Sequence, residues 1–230
     1  MKASLAVELH SARHGSTGMR KPKEPEANRG RIVKAAIAEF SARGFKGASM
    51  DAIASRTQTT RALINYYFGG KESLYIAVLE HVYAGIREAE GALDLDHLPP
   101  LDAVRRIVEF TYRYYLAHEG FVRLVVAENQ VRGKHLRKSR LIRSLNRPII
   151  DRITRVLARG QAEGLFRKDA DAVEMHMAIA ALGMFNVTNQ HTFGAIFQRE
   201  MGARGDVTCR WNRVADMIVS YLTNFQPRLS

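Results

Sequence analysis

The chain of 230 residues holds one cysteine, Cys209, and one tryptophan, Trp211. A single thiol excludes an intrachain disulfide and fits a reducing compartment. No apolar run is long enough to span a bilayer, and the first twenty residues lack the continuous apolar core of a signal peptide, so a cytoplasmic protein without a membrane partner is expected. Catalytic signatures are missing as well: there is no glycine-rich phosphate loop, nucleophile elbow or kinase motif. The histidines at 10, 14, 81, 97, 118, 135, 176 and 191 are scattered, and no pair has metal-ligand spacing with a supporting acid or cysteine. No enzyme, catalytic residue, metal site or cofactor is expected. Internal repeats and convincing strands are also absent, which leaves helical periodicity as the organising pattern and an all-α fold as the expected class.

What is present is positive charge, unevenly spread. The net charge is +12, and residues 1–71 carry 13 Lys and Arg against 5 Asp and Glu. A basic surface suits solubility or nucleic acid equally well until a binding element adjoins it.

That element is Ser49 to Lys71, SMDAIASRTQTTRALINYYFGGK. The spacing predicts a short helix from about Met50 to Arg56, capped by Ser49, and a second from about Arg61 to Phe68, capped by Thr60. At 100° per residue, Leu63, Ile64, Tyr67 and Phe68 gather on one side of the second helix and Arg61, Ala62, Asn65 and Tyr66 on the other. A cation, a small residue, a carboxamide and a phenol suit a helix in the DNA major groove. Upstream, Ile32, Val33, Ala36, Ile37 and Phe40 predict a supporting helix from Arg29 to Arg43, stopped by Gly44. Phe40 and Phe45 are expected to pack against Ile53, Ile64 and Phe68.

From Ile32 through Ile53, Ala54, Ile64 and INYYFGGKESL, these residues resemble the DNA-binding domain of the TetR family of bacterial transcriptional regulators. The resemblance implies an N-terminal three-helix helix-turn-helix domain followed by a larger helical domain that binds a small-molecule effector and dimerises through its last two long helices. It places Ser49, Arg61, Ala62, Leu63, Asn65, Tyr66, Tyr67 and Lys71 at positions that commonly contact DNA. Ser49, Tyr66, Tyr67 and Lys71 suit phosphates, while Arg61 and Asn65 suit guanine and adenine edges. The sequence departs from the family at Gln58, where glycine is usual, at Leu63, where a small hydroxyl residue is common, and at Asn65, where tyrosine is frequent. Leu63 therefore reads either as core or as a thymine-methyl contact, and Tyr67, which the helical wheel turns inward, either as core or as a phosphate contact. Lys71 opens a helix, where a cation opposes the dipole unless an anion lies nearby.

The expected organisation is a mobile basic arm over residues 1–28, with Arg20, Lys21 and Lys23 as its cations, a helix-turn-helix domain over 29–75 and an effector-binding and dimerisation domain over 76–230. Further helices are predicted from Lys71 to about Gly91, Leu101 to His118, Gly120 to Arg132 and Leu136 to Leu145. Asn146-Arg147-Pro148 either kinks that last helix or begins a new one running toward Gly164. Two more helices follow, over about Ala170–Gln190 and Trp211–Asn224, and the segment from His191 to Arg210 has no clear pattern. Between Glu128 and Asp151 there is no acid, and Arg132, Lys134, Arg137, Lys138, Arg140, Arg143 and Arg147 form either a solvated face or a surface for an anionic ligand or DNA. Tyr112, Tyr115, His118, Asn129, Met184, Phe185 and Asn186 mix apolar surface with polar groups, a description that fits a pocket or an ordinary core, so no ligand residue is assigned. The expected function is a homodimeric repressor on double-stranded, palindromic operator DNA, released by an effector. The alternative is an architectural or protein-regulated DNA-binding factor of the same fold with no small-molecule effector.

Overall fold

The computed structural model describes residues 24–201 and 204–224; the basic arm's Arg20, Lys21 and Lys23 lie outside them. The described residues form ten α-helices and one 3-10 turn, without a strand. The helices are α1 Glu24–Gly47, α2 Met50–Thr57, α3 Arg61–Phe68, α4 Lys71–Gly91, α5 Pro100–Ala117, α6 Glu119–Gln130, α7 Arg140–Ala162, α8 Ala172–Thr188, α9 Gln190–Phe197 and α10 Arg204–Thr223.

α1 begins five residues before the expected start, so residues 24–28, assigned to the arm, are its first turn. Its regular course ends where expected, at Gly44, whose φ of 65° and ψ of 175° break the helix before a last turn to Gly47. That left-handed backbone favours glycine because it lacks a Cβ. Ile32, Val33, Ala36 and Phe40 of α1, Met50, Ile53 and Ala54 of α2, Ile64 and Phe68 of α3 and Leu74, Tyr75, Val78 and Leu79 of α4 make one apolar cluster, which also takes in Leu124 of α6 and Ile142 of α7. The head is therefore seated on the body through a shared core. α4 runs along the seam, packing on α1 and α3 near its start and on α7 along its length.

The body is built around α5, which packs against α7, α8 and α10. Val104, Ile107 and Val108 face Ile149, Ile153, Val156 and Leu157 of α7, Met175 and Ile179 of α8 and Ile218 and Leu222 of α10 in a second cluster. Phe166 lies over Gly160 so closely that a Cβ there would stand 2.0 Å from the ring. α7 is one helix that continues through Pro148; Asn146 donates its side-chain amide to the Ile142 carbonyl and does not cap a new helix. The expected start at Leu136 is instead a 3-10 turn, Leu136–Lys138, and Ser139 caps α7 by accepting from the Ile142 N–H at 3.2 Å. The segment without a clear pattern in the sequence, which begins at His191, supplies all but the first residue of α9, Gln190–Phe197, which has no buried residue and hence no stripe to read. Arg152 of α7 donates to the carbonyls of Glu90 and Leu93, and Arg159 donates to those of Leu95 and Asp96, so α7 holds the C-terminal end of α4 and the loop after it.

Candidate nucleic-acid interface

α2 and α3 have too few residues to be stable alone and are held by their caps and by the cluster beneath them. Ser49 Oγ accepts from the Ala52 N–H at 3.3 Å and Thr60 Oγ1 from the Leu63 N–H at 3.1 Å. Gln58 ends α2 with φ 52° and ψ 40°, so the turn keeps the left-handed residue for which glycine is the usual choice, and glutamine bears the strain. Gly69 ends α3 with φ 80°.

On α3 the two sides separate as the wheel predicts at six positions and only in part at two. Ile64 and Phe68 are buried, Arg61, Ala62, Asn65 and Tyr66 are exposed, and Leu63 and Tyr67 are half-buried. Tyr66 is 82% exposed and meets Tyr67 edge to face with ring centroids 5.7 Å apart. Arg61 Nη1 lies 3.5 Å from Asp51 Oδ2, an exposed pair that ties the starts of the two helices and gives way at little cost when a better anion arrives. Ser49 retains its O–H as a donor while its oxygen caps α2. Lys71 finds a carbonyl in place of an anion: its Nζ donates to the Lys46 oxygen at 3.2 Å and stands 5.3 Å from the Phe45 ring centroid. An ammonium has three N–H groups, so this bond leaves donors for a phosphate.

Sequence reasoning missed a buried carboxylate beneath this surface. Glu39 is 0% exposed; its Oε1 accepts from the Ser49 N–H at 3.1 Å and lies 3.3 Å from Arg43 Nε, while Oε2 is 3.5 Å from Arg56 Nη2. One α1 side chain thus grips both ends of α2. Its position seven residues after Ile32 and three after Ala36 puts it on the buried stripe, a signal that a search for apolar residues alone passes over.

The interior of the body holds another set of ionisable groups. Arg87 Nη1 lies 2.9 Å from Glu90 Oε2, both side chains being buried, yet these two atoms and Arg87 Nε lack a well-formed hydrogen bond. Burial pushes the Glu90 carboxyl up to about 7 against the pull of Arg87 and Arg152, and burial, assisted by Arg87, pushes the His176 imidazole down to about 4. The two act oppositely on stability. Glu90 favours the folded state below its unfolded value of 4.5 and loses that advantage as pH rises to about 7; His176 favours it above 6.5 and loses that as pH falls to about 4. Each window is worth on the order of 3 kcal/mol, so between about pH 4.5 and 6.5 they largely cancel. His176→Asn is expected to uncover the Glu90 slope: the melting temperature of the variant falls from pH 5 to 7 while that of the parent changes much less. Parallel profiles in thermal denaturation would contradict this.

Of the residues considered as pocket candidates, Tyr115 and Met184 meet in one apolar cluster with Val122, Val125 and Val187. Tyr112 and Tyr115 are core, Phe185 is exposed, and the amides of Asn129 and Asn186 donate to the Val125 and Leu182 carbonyls of their own helices. His118 lines a cleft of about 290 Å³ shared with His81, Gly85, Tyr114 and Phe121. A larger cleft of about 470 Å³ separates Phe40 and Arg43 of the head from Val122 and Val126 of α6 and His191 of α9. Among the described residues no cluster of His, Cys, Asp or Glu is placed to hold a metal ion, and no helix is long and apolar enough to cross a membrane.

Comparison with known proteins agrees with this geometry. The family model described as "Bacterial regulatory proteins, tetR family" matches residues 32–78, and the one described as "Tetracyclin repressor-like, C-terminal domain" matches residues 100–218. The HTH-type transcriptional repressor NicS of Pseudomonas putida is 38% identical over 179 residues, which are 78% of this chain and 84% of that protein. Among solved structures, the putative transcriptional regulator SCO4942 from Streptomyces coelicolor superposes with a TM-score of 0.63 at 23% identity, over 85% of this chain and 98% of that one. FadR from Bacillus subtilis, solved in complex with stearoyl-CoA, gives 0.62 at 17% identity, over 83% and 97% of the two chains. At these identities both structures speak for the fold alone.

Proposed function

The chain belongs to the TetR family of bacterial regulatory proteins, DNA-binding transcriptional regulators and not enzymes, and from that premise we propose a cytoplasmic homodimeric repressor whose two α3 helices read a palindromic operator and which a small-molecule effector releases. The observation that carries this reading is the exposed face of Arg61, Ala62, Asn65 and Tyr66 on a helix capped at both ends and backed by a buried core. In it Arg61 and Asn65 reach base edges, Ala62 permits close approach, half-buried Leu63 meets a thymine methyl, and Ser49, Tyr66, Tyr67 and Lys71 hold phosphates. We assign residues 29–75 to the head and 76–230 to the body, a division that falls inside α4 and makes that helix the lever between them.

A dimer is supported by exposed apolar side chains on the adjoining α8 and α10. Val173, Met177, Ala181 and Phe185 recur every fourth residue along α8, and Met217 and Tyr221 lie on α10, all exposed. Such a stripe suits a second copy of the same face. An effector is supported by the incompletely bonded Arg87–Glu90 pair inside the body and by the acyl-CoA complex of a protein with the same fold. The alternative, a body without an effector, draws on the tight packing of Tyr112 and Tyr115. An effector acts only through its different affinity for body conformations that set different spacings of the two heads.

The roles of base and phosphate contacts are separable. Asn65→Ala is expected to relax base preference at one position of each half-site, a loss of about 1–3 kcal/mol of discrimination. Lys71→Ala is expected to weaken all sequences alike and to lower the salt slope by about 0.9 for each phosphate released. Binding titrations on single-base operator variants over a range of salt separate the two; an equal loss of specificity from both changes would sink the division of roles.

A further inference from the structure

The basic segment 132–147 is placed where a solvated face need not be. Arg132 and Gly133 take left-handed conformations, with φ 57° and 67°, and turn the chain sharply after α6. Glu128, buried at the end of α6, collects the turn that follows: its Oε2 accepts from the N–H groups of His135 and Leu136 at 3.0 and 3.2 Å, and its Oε1 accepts from His135 Nδ1 at 2.6 Å. The His135 ring then packs on Phe45 and Tyr75 of the head at centroid distances of 4.6 and 4.9 Å. Lys138 Nζ reaches Glu72 Oε1 at 2.7 Å, and Ser139 Oγ reaches Glu80 Oε1 at 2.7 Å. The body's most basic stretch is therefore fastened to α4 one residue beyond Lys71.

All seven cations of this stretch are exposed. Lys138 pairs with Glu72 and Arg147 stands 3.9 Å from Asp151, whereas among the described residues Arg132, Lys134, Arg137, Arg140 and Arg143 have no carboxylate within ion-pair distance. Uncompensated like charge held in place costs repulsion that a flexible tail would relieve, and arginine outnumbers lysine, the side chain whose planar fork suits phosphate oxygens. We propose that this surface is a second contact to duplex DNA, gripping backbone phosphates that flank the half-site read by α3. It continues the basic face of the head, carries no base preference of its own, and lengthens the stretch of duplex each subunit covers. The inference rests on DNA binding by the head.

The test uses the full-length protein and Arg137→Gln/Arg140→Gln/Arg143→Gln, changes at exposed positions whose folding is checked by an unaltered melting temperature. Each is titrated over salt with two duplexes: the selected operator trimmed to its half-sites, and the same operator extended by about one helical turn of arbitrary sequence on each side, on the order of 10 base pairs. On the extended duplex the triple variant is expected to lose about 0.9 of salt slope for each phosphate released, with base preferences unchanged, while on the trimmed duplex it matches the parent. Equal slopes for variant and parent on the extended duplex, or an equal loss on both duplexes, would overturn the flanking contact and leave the head's specific binding standing. Failure of the parent to bind any duplex would remove both readings.

Discussion

Phe40→Ala is expected to lower stability by about 3–5 kcal/mol and to abolish operator binding at temperatures where the parent still binds. Phe40 is 1% exposed at the centre of the head cluster, edge-on to Tyr75 with centroids 4.9 Å apart and stacked near Phe45 at 6.4 Å. Truncation removes the ring's burial and two aromatic contacts and leaves a cavity between α1, α2 and α4, the elements that set the angle of α3. The exposed face of α3 is untouched, so the loss of binding follows from loss of fold. A stabilising osmolyte should therefore restore both together. An unchanged melting temperature with binding lost would mean that Phe40 acts in some other way.

Glu128→Ala is expected to cost a similar 3–5 kcal/mol, because it leaves three donors without their acceptor, each unmade bond to a buried group costing about 1–3 kcal/mol. The His135 and Leu136 N–H groups and His135 Nδ1 would lose their acceptor inside the protein. The consequence is local as well as global: the 3-10 turn would lose its hold on Phe45 and Tyr75, and with it the joint between head and body. Hydrogen exchange should show faster exchange at residues 134–142 than the global loss explains. Glu128→Gln, which keeps one acceptor oxygen, should recover part of the stability. Protection of 134–142 that falls no more than elsewhere would show that the turn does not depend on Glu128.

The contrast between these residues shows what the sequence carries. Phe40 belongs to an apolar stripe, and its partners lie within a domain whose caps, Ser49 and Thr60, and stops, Gly44 and Gly69, are local signals; the head could be read almost residue by residue. Glu39, Glu90 and Glu128 are carboxylates on buried stripes, and what makes each tolerable is distant or partly so: Ser49 and Arg56 for Glu39, Arg152 beside Arg87 for Glu90, His135 for Glu128. Periodicity marks their positions only if polar residues are allowed onto the apolar face. α9 was illegible for the opposite reason, having no buried side chain to set a period. Pro148 leaves two readings open in the sequence, a kink within one helix or the start of a new one, because proline is well tolerated at a first helical position; α7 continues through it as one helix, with Ile142 and Ile149 on either side buried in the two cores. On α3 the outward face was legible in full, and the half-buried Leu63 and Tyr67 fell between the two answers that the wheel and the resemblance allowed.

In the proposed repressor α3 reads base edges from two copies of the chain at once, and selection of binding sites from random duplex DNA by the purified protein tests that most directly. A two-fold symmetric site is predicted, with half-site centres about 34–36 Å apart, one turn of duplex, and with affinity that falls steeply with salt. Recovery of no enriched sequence, or of an asymmetric site bound by a single copy, would contradict it.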